Sequence, residues 1–331
     1  MKKVIDDTRL IFKCCSLYYQ DRKGQQEICD ILGISRPTVS RMLKSGRELG
    51  IVKIEINNPD NVVFGQLERK LENLFRLREV IIVQSSPLEK GTQHISSAIG
   101  KGTLDFLSRV IEDGDYICVG MGMTMQNVTR AECVIEKSAK CSFVPILGGV
   151  GESRLDIHSN YLVQEFADLF GGDCMQFFSP AIFSDKKILD GFQQEKSIRK
   201  IFNIYKKIDL VVMGIGIPKT EDSTLFETGY VDRKILDDFV KKGAVGDIAL
   251  RFFNIDGKLE DFQQFNERVA GMPMEQLGKI PRRVGVAGGK QKVEAVLGAI
   301  RGNFINILIT DVDCAEGLLA YMEDQNKDEL S

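Results

Sequence analysis

The sequence has few of the residues from which most catalytic and metal sites are built. It contains only two histidines, His94 and His158, and its eight cysteines form no CxxC pair. Histidine triads, HExxH metal sites and zinc clusters therefore have no basis in the pattern. We expect reduced, mostly buried thiols, no metal and no cofactor.

Long apolar runs are also missing. The longest, near Leu210 to Ile217, is much shorter than the roughly 20 residues that a membrane helix needs. The first ten residues are charged and do not have the pattern of a secretory signal. We expect a cytoplasmic protein without a membrane partner.

The net charge is small, but it is divided unevenly along the 331 residues. Residues 1–56 carry eleven Lys and Arg against seven Asp and Glu, whereas residues 57–331 carry 33 against 40. A small basic segment joined to a larger acidic one is typical of a DNA-binding module attached to a part that does not contact DNA. The length allows two or three domains.

The basic segment contains two amphipathic helical patterns separated by a short turn. In the first pattern, Ile28, Ile31 and Leu32 are spaced to face a core. Gly33 then suits the left-handed residue that often ends a helix. The inward-facing residues of the second pattern are Val39, Met42 and Leu43. Together the patterns predict a helix-turn-helix.

The second helix is predicted to have the basic outer face of a DNA recognition helix. Four basic residues and no acidic residue lie between positions 31 and 47. Arginine can pair with guanine edges, and hydroxyls reach bases or phosphates. The predicted DNA-binding residues are Gln25, Ser35, Arg36, Thr38, Ser40, Arg41 and Lys44, and Ser35 also suits the N-cap. An ordinary helical hairpin with a solvated basic face would show the same periodicity.

Beyond residue 78, short apolar segments alternate with helical patterns. Predicted strands are Val80–Val83, Tyr116–Val119, Ser142–Leu147, Leu210–Ile215, Arg283–Ala287 and Ile305–Thr310. Repetition of strand, loop and helix predicts an α/β fold with a mostly parallel, Rossmann-like sheet. The polar segment Asn57–Asn61 marks a boundary. We predict a helix-turn-helix domain at 1–57, a linker or oligomerisation helix at 58–78 and an α/β domain at 79–325.

Four of the predicted strands run into glycine loops, at Gly120–Thr124, Gly148–Gly151, Gly214–Gly216 and Gly288–Lys292. Ligands of open α/β sheets bind at the carboxyl ends of strands, where glycine lets backbone N–H groups approach an anion. Thr124, Lys290 and Lys292 add side chains suited to phosphate. Each loop alone could be a structural turn, but together they predict one shared site for an anionic ligand.

Two further side chains are candidates for this site. His158 follows the second glycine loop closely enough to line a pocket. Asp247 enters an apolar run, where it could accept hydrogen bonds from ligand hydroxyls or cap a turn.

The combined motifs resemble the SorC-type family of bacterial sugar-responsive transcriptional regulators. The resemblance runs from about Leu17 to Leu319. It is most specific at Glu27–Ile56, Phe143–Gly151, Ala244–Phe253, Val286–Lys292 and Asn306–Asp311. It implies an N-terminal helix-turn-helix and an effector domain similar to sugar-phosphate isomerases and glucosamine-phosphate deaminases that has generally lost catalysis.

By position, the resemblance assigns residues to a phosphorylated sugar or polyol effector. The phosphate would contact Gly122, Thr124, Gly288, Gly289 and Lys292. The sugar would face Gly148, Gly149, His158, Asn160 and Asp247.

Three positions depart from the family pattern. Met121 stands where the family commonly has Trp, and Asn254 stands where it often has Asp. Leu147 stands where some members have a basic residue, and one type forms a Schiff base there through Lys. Because Leu147 has no amine, no covalent imine is expected at that position.

The leading hypothesis is a transcriptional regulator whose affinity for operator DNA is controlled by the phosphorylated sugar or polyol, acting as a homo-oligomer, a dimer or tetramer. The first rival is a sugar-phosphate isomerase or deaminase with a fused DNA-binding head. It shares the fold, but the glycine loops lack a clear acid/base pair, so no catalytic residue is predicted. The second rival is a structural assembly module whose basic helix serves oligomerisation.

Overall fold

The computed structural model describes residues 7–53, 63–85, 97–135, 139–149, 154–218, 225 and 229–328. The chain divides into two compact units, Met1–Val63 and Phe64–Ser331. The predicted boundary between residues 57 and 58 lies outside the described residues and stays a prediction. His94 also lies outside them.

The described residues of the first unit contain three helices. They are α1 (Thr8–Tyr19), α2 (Gln25–Leu32) and α3 (Arg36–Glu48). Their shared core consists of Ile11, Cys14, Cys15, Ile28, Cys29, Val39, Met42 and Leu43. One inward prediction is wrong, because Ile31 is 50% exposed. Cys29 is buried instead, and with Ile28 and Leu32 it forms the face that packs into the core.

Nine strands lie within the described residues of the second unit. In chain order they are β1 (Glu79–Val83), β2 (Tyr116–Val119), β3 (Ser142–Pro145), β4 (Asp173–Cys174), β5 (Leu210–Gly214), β6 (Ala244–Ile248), β7 (Arg251–Asn254), β8 (Arg282–Val286) and β9 (Ile307–Asp311). Seven of them form a parallel sheet in the order β1-β9-β8-β5-β2-β3-β4, and β6 and β7 form a separate antiparallel pair.

The predicted α/β fold is confirmed, and each of the six predicted strands lies within two residues of its expected bounds. The β6–β7 pair was not predicted, because Gly246, Asp247 and Arg251 interrupt its apolar pattern. β4 was also missed, since two residues carry no periodicity.

Eleven described helices belong to the second unit. They are α4 (Gly65–Phe75), α5 (Ser97–Val110), α6 (Met123–Thr129), α7 (Ser159–Phe170), α8 (Lys186–Gln193), α9 (Lys196–Tyr205), α10 (Arg233–Lys241), α11 (Gln263–Asn266), α12 (Met274–Leu277), α13 (Val293–Arg301) and α14 (Val312–Asp328). Short 3₁₀ turns lie at Leu155–Ile157, Glu260–Phe262 and Lys290–Lys292. Within the described ranges, no helix has the length and apolarity that a bilayer crossing requires.

Apolar side chains cover both faces of the sheet. Ile117 and Val212 belong to one core cluster, together with residues of α5, α6 and α7. Cys118 and Val211 belong to the other, together with residues of α9, α13 and α14. Successive residues of a strand point to opposite faces, so a strand buried on both faces reads as a continuous apolar run. This is why the sequence pattern located the strands well.

Candidate functional site

The strand order reverses between β2 and β5. From β2 the sheet continues to β3 and β4, and from β5 it continues to β8, β9 and β1. Because these strands are parallel, the four glycine loops that follow β2, β3, β5 and β8 leave from the same edge of the sheet. Such a reversal point is where open α/β sheets bind ligands.

Thr124 and Lys292 contact successive residues at the end of β5. A Cβ on Gly214 would lie 2.9 Å from the Cβ of Thr124 and 3.1 Å from its Oγ1. One residue further along, the carbonyl of Ile215 accepts a hydrogen bond of 2.8 Å from Lys292 Nζ. The first and fourth glycine loops therefore bring a hydroxyl and an ammonium group to the same strand end.

Asp247 adds a buried carboxylate beside these groups. Its side chain is 5% exposed, and its backbone exchanges hydrogen bonds of 2.9 and 3.2 Å with Gly216. Any Cβ at position 216 would collide with the carboxylate of Asp247, so glycine is required there. Burial raises the pKa of Asp247 to about 6, against opposing effects of the Lys292 charge and a hydrogen bond from the Leu250 backbone.

His158 and Tyr230 close the other side of the second glycine loop. His158 is 3% exposed, and its Nδ1 lies 2.8 Å from the hydroxyl of Tyr230. A Cβ on Gly149 would lie 2.9 Å from that Nδ1 and 3.2 Å from that hydroxyl. Burial raises the pKa of Tyr230 to about 12, so its phenol is protonated at neutral pH.

The side chain of Asn160 forms hydrogen bonds with the backbone of this region. Its amide donates hydrogen bonds to the carbonyls of Gly149 at 3.3 Å and Phe177 at 3.0 Å. Its Oδ1 accepts from the Phe177 N–H at 2.8 Å. The N–H of Gly148 likewise donates to the carbonyl of Ala270 at 2.8 Å. These hydrogen bonds hold Gly148 and Gly149, the described residues of the second glycine loop, in position.

The fourth glycine loop is engaged by a carboxylate of the protein. The N–H of Gly289 lies 3.0 and 2.9 Å from the two carboxylate oxygens of Asp311. Asp311 also accepts a hydrogen bond of 2.9 Å from the N–H of Cys314, in the first turn of α14. Gly288 packs against the same carboxylate. This loop also contributes the ammonium group of Lys292, which donates to the Ile215 carbonyl.

On the first unit, most of the predicted DNA-binding residues are exposed along α3. Arg36, Ser40, Arg41 and Lys44 are exposed. Ser35 occupies the N-cap position, and its Oγ lies 2.9 Å from the hydroxyl of half-buried Thr38. Gln25 is half-buried at the start of α2. Lys44 Nζ lies 3.7 Å from Glu48 Oε1. This ion pair is exposed and is therefore easily broken.

No group of three or more His, Cys, Asp or Glu side chains among the described residues could hold a metal ion.

Comparison with known proteins identifies the family. Residues 63–320 match the model of the sugar-binding domain family Sugar-bind. Over 315 residues the chain is 32% identical to the sorbitol operon regulator of Klebsiella pneumoniae, covering 95% of this chain and 98% of that protein. The chain belongs to the SorC-type family of transcriptional regulators.

Two further comparisons agree with this SorC-type assignment. The deoxyribonucleoside regulator of Bacillus subtilis is 32% identical over 317 residues, covering 94% of this chain and 97% of that protein. The crystal structure of the full-length sorbitol operon regulator SorC from Klebsiella pneumoniae matches with a TM-score of 0.69 at 31% identity. That match covers 95% of this chain and 99% of the other. The resemblance inferred from the motifs is confirmed.

The contacts of the three residues that depart from the SorC-type pattern are structural. Leu147 is 1% exposed and belongs to the larger core, which is the cluster that contains Cys118 and Val211. Asn254 accepts hydrogen bonds from the N–H groups of Asp256 at 3.1 Å and Lys258 at 2.9 Å, so it organises the turn after β7. Met121 packs, partly buried, against the larger core.

Two residues beside the candidate site were not predicted from the sequence. Tyr230 lies 72 positions from its partner His158, and no local pattern connects them. Asp311 does carry a signal, because it is the acidic last residue of the otherwise apolar strand β9, whose carboxyl end lies at the same edge as the glycine loops.

Proposed function

We propose that this protein is a transcriptional regulator that binds operator DNA through α3 and binds a phosphorylated sugar or polyol at the carboxyl edge of the sheet. The observation that carries the proposal is that Thr124, Lys292 and Asp247 contact residues 214, 215 and 216, in that order, at the end of β5. An ammonium and a hydroxyl suit a phosphate, and a buried carboxylate suits the hydroxyls of a sugar. The names of the relatives, regulators of a sorbitol operon and of deoxyribonucleosides, support a sugar-derived effector.

The proposed role is binding without turnover. Of the two carboxylates described at this edge, Asp311 accepts hydrogen bonds from the N–H groups of Gly289 and Cys314, which leaves Asp247. The Nδ1 of His158 lies against the protonated phenol of Tyr230. An isomerase or deaminase would need a second acid or base facing the reacting carbons. The sequence-related regulators support the same interpretation.

We further propose that the protein acts as at least a dimer. A single helix-turn-helix reads one half-site, and a two-fold assembly matches a palindromic operator.

A thermal-shift screen tests the effector class. The panel pairs sugar and polyol phosphates with their unphosphorylated counterparts. A ligand present at about 100 times its Kd stabilises the folded state by about 2.7 kcal/mol. We expect stabilisation only from phosphorylated members. Equal stabilisation by an unphosphorylated partner would remove the phosphate from the proposal, and consumption of any sugar phosphate would favour the enzyme.

A further inference from the structure

A cleft lies beside the β6–β7 hairpin. It has a volume of about 490 Å³, and its apolar walls include Leu189, Leu259 and Met274. None of the residues predicted to bind the sugar phosphate lines it. Its size falls in the range of small-molecule sites.

Arg251 forms part of the wall of this cleft although it is only 5% exposed. Its guanidinium donates to the carbonyls of Ala249 at 3.4 Å and Val269 at 3.2 Å. Its other N–H donors have no partner within the described ranges, and no carboxylate there pairs with it. Burial lowers the pKa of Arg251 to about 10, so it stays charged at neutral pH. Burying a charged group without an oppositely charged partner costs folding free energy.

Arg283 is a buried arginine with shorter hydrogen bonds, although its Nε is buried without a partner among the described residues. It is 7% exposed, and it donates short bonds of 2.6 Å to the Ile280 carbonyl and 2.7 Å to Asn303 Oδ1. It does not line the cleft. The longer bonds of Arg251 and its place at an open cleft indicate donors that are available to a ligand.

The acidic side chains at the rim of the cleft favour some ligand charges over others. It carries the carboxylates of Asp190, Glu260, Glu267 and Glu275. Asp190 and Glu275 pair with lysines at 3.0 and 2.8 Å, whereas Glu260 is exposed. An acidic rim repels a dianionic phosphate and attracts an ammonium group, while a guanidinium fork matches one carboxylate.

We propose that this cleft binds an aliphatic α-amino acid, with its carboxylate on Arg251, its ammonium toward the acidic rim and its side chain on the apolar walls.

The cleft is connected to the second glycine loop by one extended segment. Val269 accepts a hydrogen bond from Arg251, and the next carbonyl, of Ala270, accepts one from the N–H of Gly148. The N–H of Met272 donates to the carbonyl of Ile146 at 2.8 Å. A carboxylate that draws Arg251 away from Val269 therefore acts on the segment that holds this loop.

Calorimetric titration of the full-length protein tests the proposal with L-valine, L-leucine and L-methionine. The matched probes are 4-methylpentanoate, which lacks the ammonium of leucine, isoamylamine, which lacks its carboxylate, and inorganic phosphate. We expect one amino acid per chain and at least about tenfold weaker binding of each truncated probe. Arg251→Lys keeps the charge but loses the fork, and should weaken amino-acid binding about tenfold or more.

Two variants make the assignment specific. Glu260→Gln should weaken leucine binding more than 4-methylpentanoate binding, because only leucine carries the ammonium. Lys292→Ala should leave amino-acid binding unchanged, which separates this cleft from the proposed sugar-phosphate site.

The proposal is overturned if none of the three amino acids binds, if phosphate binds more tightly, or if folded Arg251→Lys protein binds them as well as the wild type. A change of oligomeric state in Arg251→Lys without amino-acid binding in the wild type would instead assign this face to contacts between copies.

Discussion

The two units place their predicted binding residues in opposite ways. On the first unit Arg36, Arg41 and Lys44 are exposed, whereas on the second His158 and Asp247 are at most 5% exposed. A large polyanion meets a surface, so charges that read DNA must be reachable and are screened by salt. A small ligand must be surrounded, so its partners are buried at a cost that the ligand offsets when it binds. Substitutions in the two units should therefore have different readouts.

The largest expected effect is that of Lys292→Ala on effector binding. Removing the ammonium should weaken sugar-phosphate binding by about 3 kcal/mol, roughly a hundredfold in Kd. Operator affinity without effector should be unchanged, because the substitution lies in the other unit. Titration calorimetry with the phosphate selected by the screen measures the first quantity.

Lys290→Ala is the matched control for this substitution. Lys290 lies in the same loop but is exposed, so its loss should change the Kd little. Full effector binding by Lys292→Ala, or an equal loss in both variants, would show that the site is assigned to the wrong lysine.

Asp247→Asn should reveal the cost of burying the carboxylate. Because the folded pKa is raised from 3.8 to about 6, the folded protein binds this proton more tightly than the unfolded chain does. Stability is therefore lost as pH rises from about 4 through about 6, and the loss reaches about 3 kcal/mol at neutral pH. The variant should gain up to that amount at pH 7.5 and very little near pH 4, as measured by urea unfolding.

Asp256→Asn is the control at an exposed position just beyond the same hairpin. Its stability should change little at either pH. A gain for Asp247→Asn that is the same at both pH values would show that the carboxylate is not the source of the effect.

Arg41→Ala tests the exposed surface of the first unit. Operator affinity at fixed salt should fall by about 1–3 kcal/mol if the side chain reaches a base edge. Lys13→Ala, an exposed basic residue on α1, is the control and should have a smaller effect. Unchanged operator affinity for Arg41→Ala would remove this residue from the interface.

Thr124→Val should have the smallest effect, since it keeps the shape that packs against Gly214 and removes only a hydroxyl. We expect about 1 kcal/mol weaker effector binding. In Thr129→Val the lost hydroxyl had bonded to the Gln126 carbonyl within α6, so effector affinity should be retained. Equal affinities of wild type and Thr124→Val would exclude the hydroxyl as a ligand contact.

Local pattern explains what the sequence predicted well. Strands buried on both faces read as apolar runs, and the spacing of Val39, Met42 and Leu43 placed α3 correctly. The site depends on partners far apart in the chain, such as Lys292 with Ile215, 77 positions away. Periodicity does not encode such pairs. Ile31 was misplaced because packing of all three helices, and not the spacing within α2 alone, decides which face is buried.

The most direct test measures operator affinity of the wild-type protein with and without the sugar phosphate that stabilises it, at fixed salt. The account predicts a change of about 1–3 kcal/mol, or about 5- to 150-fold. It predicts no change for Lys292→Ala, whose affinity without ligand should equal that of the wild type. Identical operator affinity of the wild type with saturating ligand and without it would contradict the account.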